Sequence, residues 1–412
     1  MHHKVDQVRL ARELDALGNI SEVPPPVTTR VVFTEADVRG REFVKQLCRE
    51  ASLTIREDPA GNTFARWQGS QPDLAAVGTG SHIDAIPNAG RFDGTVGVLG
   101  GLEAIRALQR AGFHPRRSIE LIIFTSEEPT RFGIGCLGSR LLSGLLDPSV
   151  GTRMKDRDGV SLDEARTSAG FSGSLSDVAL PPGRYSAFVE LHIEQGPLLE
   201  QRQVPLGVVT AIAAPASVKI QIEGEGGHAG AVLMPGRRDA FLAAAEIALA
   251  VESAARSTGS IDTVATVGVC DVFPGAVNSI PSRVRIEVDV RDIDGLRRDG
   301  VLKKIAEACE ASAAKRNVKV QSELVNADPP AQCAAAVVEA LTRACDKHHL
   351  RFDRMISRAY HDSLFMSRIS PTAMLFVPSR GGVSHRPDEY SSPEAIAQGV
   401  LVLAEALATL SR

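Results

Sequence analysis

Five of the ten histidines sit where residue types and spacing could do chemistry: His82, His192, His228, His361 and His385 lie among Gly, Asp, Glu and Ser in loop-like contexts. The other five, His2, His3, His114, His348 and His349, have no suggestive neighbours and read as surface or tag-like residues. Gly80-Ser81-His82-Ile83-Asp84 puts an acid two positions after an imidazole. Asp84 is then either the partner of a strand-end histidine or the group that fixes its tautomer for metal binding. Asp93, eleven positions after His82 in Arg91-Phe92-Asp93-Gly94-Thr95, is either a turn residue capping the next helix or a carboxylate bridging two cations, with Gly94 relaxing the backbone. Ser126-Glu127-Glu128 closes an apolar run with two acids, which are costly if buried unpaired. They form either a solvated loop or a ligand beside a general base. Leu191-His192-Ile193-Glu194-Gln195-Gly196-Pro197 and Gly381-Gly382-Val383-Ser384-His385 complete the set. Each motif alone is ambiguous. Together they supply three imidazoles and several carboxylates, each just past an apolar run and with no thiolate, which is the donor set of a dinuclear zinc or manganese site.

The elements that must position these groups alternate between strand and helix in the first half. Leu74 to Val77 is an apolar run that stops at the glycines before His82; Val96 to Ala111 predicts a helix; Ser118 to Phe124 and Ala187 to Ile193 predict strands. This is the pattern of α/β layers, in which sites gather where strands end. From about Ala213 the texture changes. Strands are expected at Val218 to Ile222, Thr263 to Val269, Arg283 to Val290 and Val318 to Leu324, with helices at Arg238 to Arg256 and Leu296 to Ala314. That order, β-α-β-β-α-β, suits a small α+β domain. Asp328-Pro329-Pro330 marks its exit, followed by a helix (Ala334 to His348), a short strand near Met374 to Val377 and a closing helix, Pro393 to Leu410. The expected architecture is an α/β catalytic domain, residues 1–212 and 328–412, interrupted by an inserted α+β domain, residues 213–327.

The composition narrows the function classes. At roughly 150 residues per domain, 412 residues predict two or three domains. Hydrophobic residues at 43% and charged residues at 23% exclude a disordered chain. Lys plus Arg at 46 against Asp plus Glu at 50 argues against a nucleic-acid or membrane-surface protein. Aromatics at 4%, with Trp67 the single tryptophan, disfavour a stacking platform for single strands. No run approaches the roughly 20 apolar residues of a membrane span; the best candidate, Ala240 to Val251, is short and contains Glu246. Met1-His2-His3-Lys4-Val5-Asp6 carries no apolar secretory core. The six cysteines are scattered without a CxxC pair and read as reduced core thiols of a cytoplasmic protein.

Read together, GSHID, DGTVG, SEE, HIEQGP and GGVSH resemble the dinuclear-metal amidohydrolases related to aminoacylase. The nearer likeness is to their amidase/hydantoinase/carbamoylase branch, which includes N-carbamoyl-L-amino acid hydrolase, β-ureidopropionase, allantoate amidohydrolase and ureidoglycolate amidohydrolase. HIEQGP is the most branch-specific piece, because peptidase relatives place a carboxylate where His192 stands. The resemblance implies a mixed-sheet, zinc-exopeptidase-like catalytic domain with a ferredoxin-like inserted domain that serves as lid and dimerisation module. It implies that Asp93 bridges two divalent ions (Zn²⁺ or Mn²⁺, with Co²⁺ and Ni²⁺ also suited), His82 and His192 completing one and Glu128 and His385 the other. Glu127 would be the general base, Asp84 would stand behind His82, and His228 would stabilise the oxyanion. Gln195, Asn278, Arg291 and His361 would bind substrate, with Arg291 clamping a carboxylate. The implied reaction is hydrolysis of a C–N bond in a ureido or N-carbamoyl compound bearing a carboxylate, with release of ammonia, by a homodimer with no nucleic-acid or membrane partner. Carbamoylases and allantoate enzymes usually carry Ser-Gly-Ala-Gly-His-Asp-Ala around the last of these histidines. This chain has Ser357-Arg358-Ala359-Tyr360-His361-Asp362-Ser363, similar to the ureidoglycolate side of the branch. Two rival readings are an aminoacylase- or dipeptidase-like hydrolase, which HIEQGP disfavours, and a non-catalytic binding protein of the same fold, which would be expected to have lost ligands that this chain keeps.

Overall fold

Alternate residues of the strand Ile119–Phe124 belong to two different cores. Ile119, Leu121 and Ile123 face one; Ile122 and Phe124 face the other. A strand buried on both faces reads as a continuous apolar run, and it requires covering layers on each side. The computed structural model describes residues 3–412 and places this strand in the middle of the larger of two compact units, made of residues 3–210, 333–357 and 361–412. Its sheet runs in the order Phe352–Ser357, Leu206–Ile212, Thr372–Val377, Tyr185–Ile193, Ala76–His82, Ile119–Phe124, Thr63–Trp67 and Thr54–Glu57. The four strands from Thr372–Val377 to Ile119–Phe124 are mutually parallel, and antiparallel neighbours flank them. Parallel order brings the carboxyl ends of four strands to one edge, where side chains from distant positions can meet.

The helices Thr95–Arg110 and Pro393–Leu410 pack together on one face, through Val98, Leu102, Ile105, Val400, Leu403 and Leu407. On the other face, Leu137, Leu141, Phe188 and Met366 close the second core. Pro393–Leu410 is the one helix among the described residues with the length and apolar composition of a membrane span, a better match than the segment Ala240 to Val251 expected from the sequence. Ile396, Val400, Val402, Leu403, Ala406 and Leu407 of this helix are buried in the core of the unit.

Three expectations need correction. The strand expected at Leu74 to Val77 is Ala76–His82: the glycines do not end it but lie within it, between the strands Ile119–Phe124 and Tyr185–Ile193, and the strand delivers His82 as its last residue. His3 is not a surface residue. Its Nε2 lies 3.1 Å from Glu405 Oε2, inside a site that also holds Lys347 Nζ at 2.7 Å from Glu405 Oε1; His2 lies outside the described residues. The six cysteines are unpaired, but Cys270 is exposed and Cys333 half-buried, so they are not all core thiols.

The second unit comprises residues 211–332 and 358–360. Its four-stranded sheet is antiparallel throughout, in the order Val264–Phe273, Arg283–Asp292, Ala214–Glu223, Lys319–Ala327. With the helices Ala240–Arg256 and Gly295–Arg316 on one face, this is a ferredoxin-like order. Val284, Ile286, Val288 and Val290 point alternately into the core against Ala244, Ile247, Val251, Val301 and Ile305.

Candidate metal centre

Six residues converge at the carboxyl edge of the parallel strands, and the main chain aims two of them. His82 ends its strand with Nδ1 bonded to the Asp84 carbonyl at 3.0 Å, which turns Nε2 inward. His192, one residue from the end of Tyr185–Ile193, donates Nδ1–H to the Ile193 carbonyl at 2.9 Å and likewise turns Nε2 inward. Thus main-chain carbonyls orient both rings and set the tautomer. The Asp84 carboxylate, expected to do this for His82, stands 3.6 Å from Nδ1 and instead accepts the backbone N–H groups of Glu127 and Glu128 at 3.2 and 3.0 Å. It therefore holds the turn that presents the two acids.

Asp93 lies at the centre. Its Oδ1 is 3.6 Å from His82 Nε2 and 3.2 Å from His192 Nε2; its Oδ2 is 3.4 Å from His385 Nε2, which is 3.3 Å from Glu128 Oε1. The capping alternative for Asp93 fails, because the N-cap of Thr95–Arg110 is Gly94 and no side chain caps it. Gly94 has φ 66°, and a Cβ there would lie 2.5 Å from the His82 ring, so both the turn and the approach of the imidazole require glycine. Glu127 and Glu128 are both buried and point apart. Glu127 Oε2 is 3.7 Å from His82 Nε2, and its Oε1 is 3.5 Å from Cys136 Sγ.

The electrostatics ask for cations. Asp84, Asp93, Glu127 and Glu128 are all buried within one region, where unpaired charge is expensive. Burial pushes Glu127 well above its usual range, and the Glu128 charge adds to this against the opposing pull of His82. Burial works in the same direction on Asp93, yet its interactions with the His192, His385 and His82 side chains outweigh it and hold that carboxyl well below its range. Hydrogen bonds to Asp93 and Glu128 push His385 up to about 11. His82 Nε2 is fully buried without a hydrogen-bond partner. An orphaned imidazole nitrogen, facing a carboxylate whose two oxygens look toward separate histidines, fits a pair of divalent ions held by nitrogen and oxygen donors.

Gln195 and His361, expected at the substrate, also lie in this unit. Gln195 donates from Nε2 to Asp93 Oδ2 at 2.7 Å, while the His361 ring stands 4.5 Å from that of His192, with Nε2 at 3.0 Å from Ser357 Oγ. In HIEQGP, Glu194 takes the N–H groups of Leu198 and Leu199 and so shapes the loop. Three supporting residues escaped the sequence reading. Glu190, buried beside His192 and His361, accepts from Ser81 Oγ and from Ser363 N and Oγ. Ser384 donates to Asp93 Oδ2 at 2.6 Å, and Glu389 accepts the N–H groups of Phe92 and Asp93. For Ser384 the adjacency to His385 was an available signal; for the two acids none was.

His228, Asn278 and Arg291 belong to the second unit. His228 is exposed in the short ladder of Gly227–His228 with Ser279–Ile280, and the next N–H, that of Ala229, bonds the Asn278 carbonyl at 2.9 Å, so His228 and Asn278 are neighbours. Arg291 pairs with Asp289 at 2.7 Å, lies over the Tyr360 ring at 5.8 Å and donates to the Arg358 carbonyl. Arg358 itself reaches Asp262 at 2.9 Å. The two bulky residues that set this chain's wall apart are thus both built around Arg291.

The chain is similar along most of its length to proteins of known family. The profile of peptidase family M20/M25/M40 matches residues 78–409. The chain is 55% identical to ureidoglycolate hydrolase of Arabidopsis thaliana, over 99% of this chain and 87% of that one. It is 41% identical to N-carbamoyl-L-amino acid amidohydrolase of Geobacillus stearothermophilus, over 96% of each. The crystal structure of AtUAH in complex with glyoxylate superposes with a TM-score of 0.90 at 55% identity, covering 99% of this chain and 98% of that one.

Proposed function

The chain belongs to peptidase family M20/M25/M40 and, within it, to the amidohydrolases that cleave carbon–nitrogen bonds of ureido compounds; from this premise we propose that its substrate is ureidoglycolate. The observation that carries the reading is the division of Asp93, one oxygen toward His82 and His192 and the other toward His385 beside Glu128. The relatives named for ureidoglycolate, together with the Arg358 and Tyr360 wall, favour that substrate over N-carbamoyl amino acids.

In this reading His82, Asp93 and His192 hold one divalent ion, and Asp93, Glu128 and His385 the other, zinc or manganese being the first candidates and cobalt or nickel also suited. Bound there, the pair would polarise the ureido carbonyl and bring the pKa of a water toward neutrality. Glu127 takes the proton of the attacking water. The new C–O bond forms at the ureido carbon, and Glu127 returns the proton to the terminal nitrogen as the C–N bond breaks and ammonia leaves. Burial suits Glu127 to this task by raising its basicity. His228 meets the oxyanion; Asn278, Gln195 and His361 orient the substrate, and Arg291 pairs with its carboxylate. The same reading assigns residues 213–327 as a lid and dimerisation domain, the protein as a homodimer, and its compartment as the cytoplasm, in keeping with six unpaired cysteines.

The test is reconstitution of metal-free protein with Mn²⁺ or Zn²⁺, followed by ammonia release from ureidoglycolate, allantoate, N-carbamoyl-β-alanine and N-carbamoyl-L-amino acids. Ureidoglycolate is expected to give the highest kcat/KM. A higher value for an N-carbamoyl amino acid would overturn the substrate assignment, and light scattering at the mass of one chain would overturn the dimer.

A further inference from the structure

We infer that Glu389 and Ser384 form a clamp that fixes the bridging carboxylate of Asp93, making Glu389 a positioning residue for the metal pair; this rests on the reading of Asp93 given above. Asp93 sits in an irregular turn whose backbone N–H groups have no ladder or helix to bond to. A bridging carboxylate must nevertheless hold both oxygens at fixed angles, and ligating carboxylates depend on surrounding hydrogen bonds for this. Glu389, nearly three hundred positions later in the chain, supplies the restraint. Its Oε1 accepts the N–H of Phe92 at 2.8 Å and that of Asp93 at 3.1 Å. Its Oε2 lies 3.1 Å from Ser384 Oγ, which donates to Asp93 Oδ2 at 2.6 Å. Glu389 therefore grips the backbone of the Asp93 turn, while Ser384, packed against its other oxygen, gives its one hydroxyl proton to the Asp93 carboxylate, so the two side chains together hold Asp93 at both ends.

The packing is built for this contact. Glu389 is 5% exposed, and a Cβ on Gly90 would lie 2.4 Å from the Glu389 Cβ, so the glycine opens the space the carboxylate enters. Ser384 immediately precedes His385, so the clamp ties the loop carrying one expected ligand to the loop carrying another. Gln195 bonds the same Oδ2 from a third loop and also donates to Ser384 Oγ at 3.5 Å.

The experiment is isothermal titration of Mn²⁺ into metal-free wild type, Glu389→Ala, Glu389→Gln and Ser384→Ala, with kcat and KM for ureidoglycolate at saturating Mn²⁺. Glu389→Ala is expected to weaken binding of at least one ion by about 10–100-fold, the usual range for residues that orient ligands, and to lower kcat while leaving KM unchanged. In Glu389→Gln the amide oxygen still accepts both N–H groups, so affinity is expected to recover to within a few-fold of wild type. Ser384→Ala removes the link on Oδ2 alone and is expected to weaken binding less than Glu389→Ala. Wild-type Mn²⁺ affinity in Glu389→Ala overturns the clamp. So does a Glu389→Gln protein as impaired as Glu389→Ala at unchanged melting temperature. Should Glu389→Ala not fold, wild-type affinity in Ser384→Ala overturns it instead. A wild type that binds no Mn²⁺ pair overturns the reading of the metal site beneath it, and is distinguished from failure of the clamp by that control.

Discussion

The two halves of the candidate metal centre are built differently. On the side of Asp93 Oδ1, His82 and His192 are buried on adjacent sheet strands, and each ring is fixed by a main-chain carbonyl. On the side of Oδ2, His385 comes from a loop, has φ 59° and is 45% exposed in its side chain. The first half stands on two strands of the sheet; the second depends on a loop late in the chain. The proposed catalytic base stands with the rigid half: Glu127 Oε2 approaches His82, and the Asp84 carboxylate pins its backbone. Burial and main-chain hydrogen bonds thus fix one side of Asp93, while an exposed loop residue supplies the other.

This contrast can be broken or sharpened by measurement. The largest expected effect is on turnover. Glu127→Gln should lower kcat by about 10²–10⁴-fold, the usual worth of a positioned base, while metal content by mass spectrometry stays at the wild-type level; loss of metal would move Glu127 into the ligand set. Next, His192→Ala strips Asp93 Oδ1 and the Gly94 N–H, which donates to His192 Nε2 at 3.2 Å, of a buried partner. It should reduce unfolding stability by about 1–3 kcal/mol, whereas His385→Ala, at a half-exposed site, should stay within about 0.5 kcal/mol of wild type in the metal-free protein. Equal losses would erase the distinction between the halves. Arg291→Ala should raise KM for ureidoglycolate about tenfold or more with little change in kcat, as expected for a lost charge-assisted pair; an unchanged KM would remove the clamp on the substrate carboxylate. The smallest effect is kinetic. Under dilute chelator, the ion beside Glu128 and His385 should leave first, seen as two phases of activity loss, and a single phase would count against it.

How much was legible in the sequence follows the same division. His82, Asp93, Glu127, Glu128, His192 and His385 each stand at the end of an apolar run or in a glycine-rich turn, where side-chain chemistry is written locally. The central strands and the β-α-β-β-α-β insertion were readable from periodicity. Glu190, Ser384 and Glu389 were not, because their meaning lies in partners brought close by the fold: Ser81 and Ser363 for Glu190, the Phe92 and Asp93 amides for Glu389. The strand Ala76–His82 outruns its apolar stretch, because glycines read as punctuation in sequence although here they lie inside the sheet. His3 is illegible for a similar reason: its partner, Glu405, is brought to it only by the fold. Spacing places Asp84 beside His82 but does not distinguish its carboxylate from its own carbonyl, and it is the carbonyl that accepts.

The central claim is that Asp93 shares two ions, one on each oxygen. Anomalous diffraction at the manganese edge, from crystals grown after reconstitution with Mn²⁺, tests it most directly. Two peaks flanking Asp93 are predicted, one beside His82 and His192 and the other beside Glu128 and His385; a single peak, or peaks away from Asp93, would contradict it.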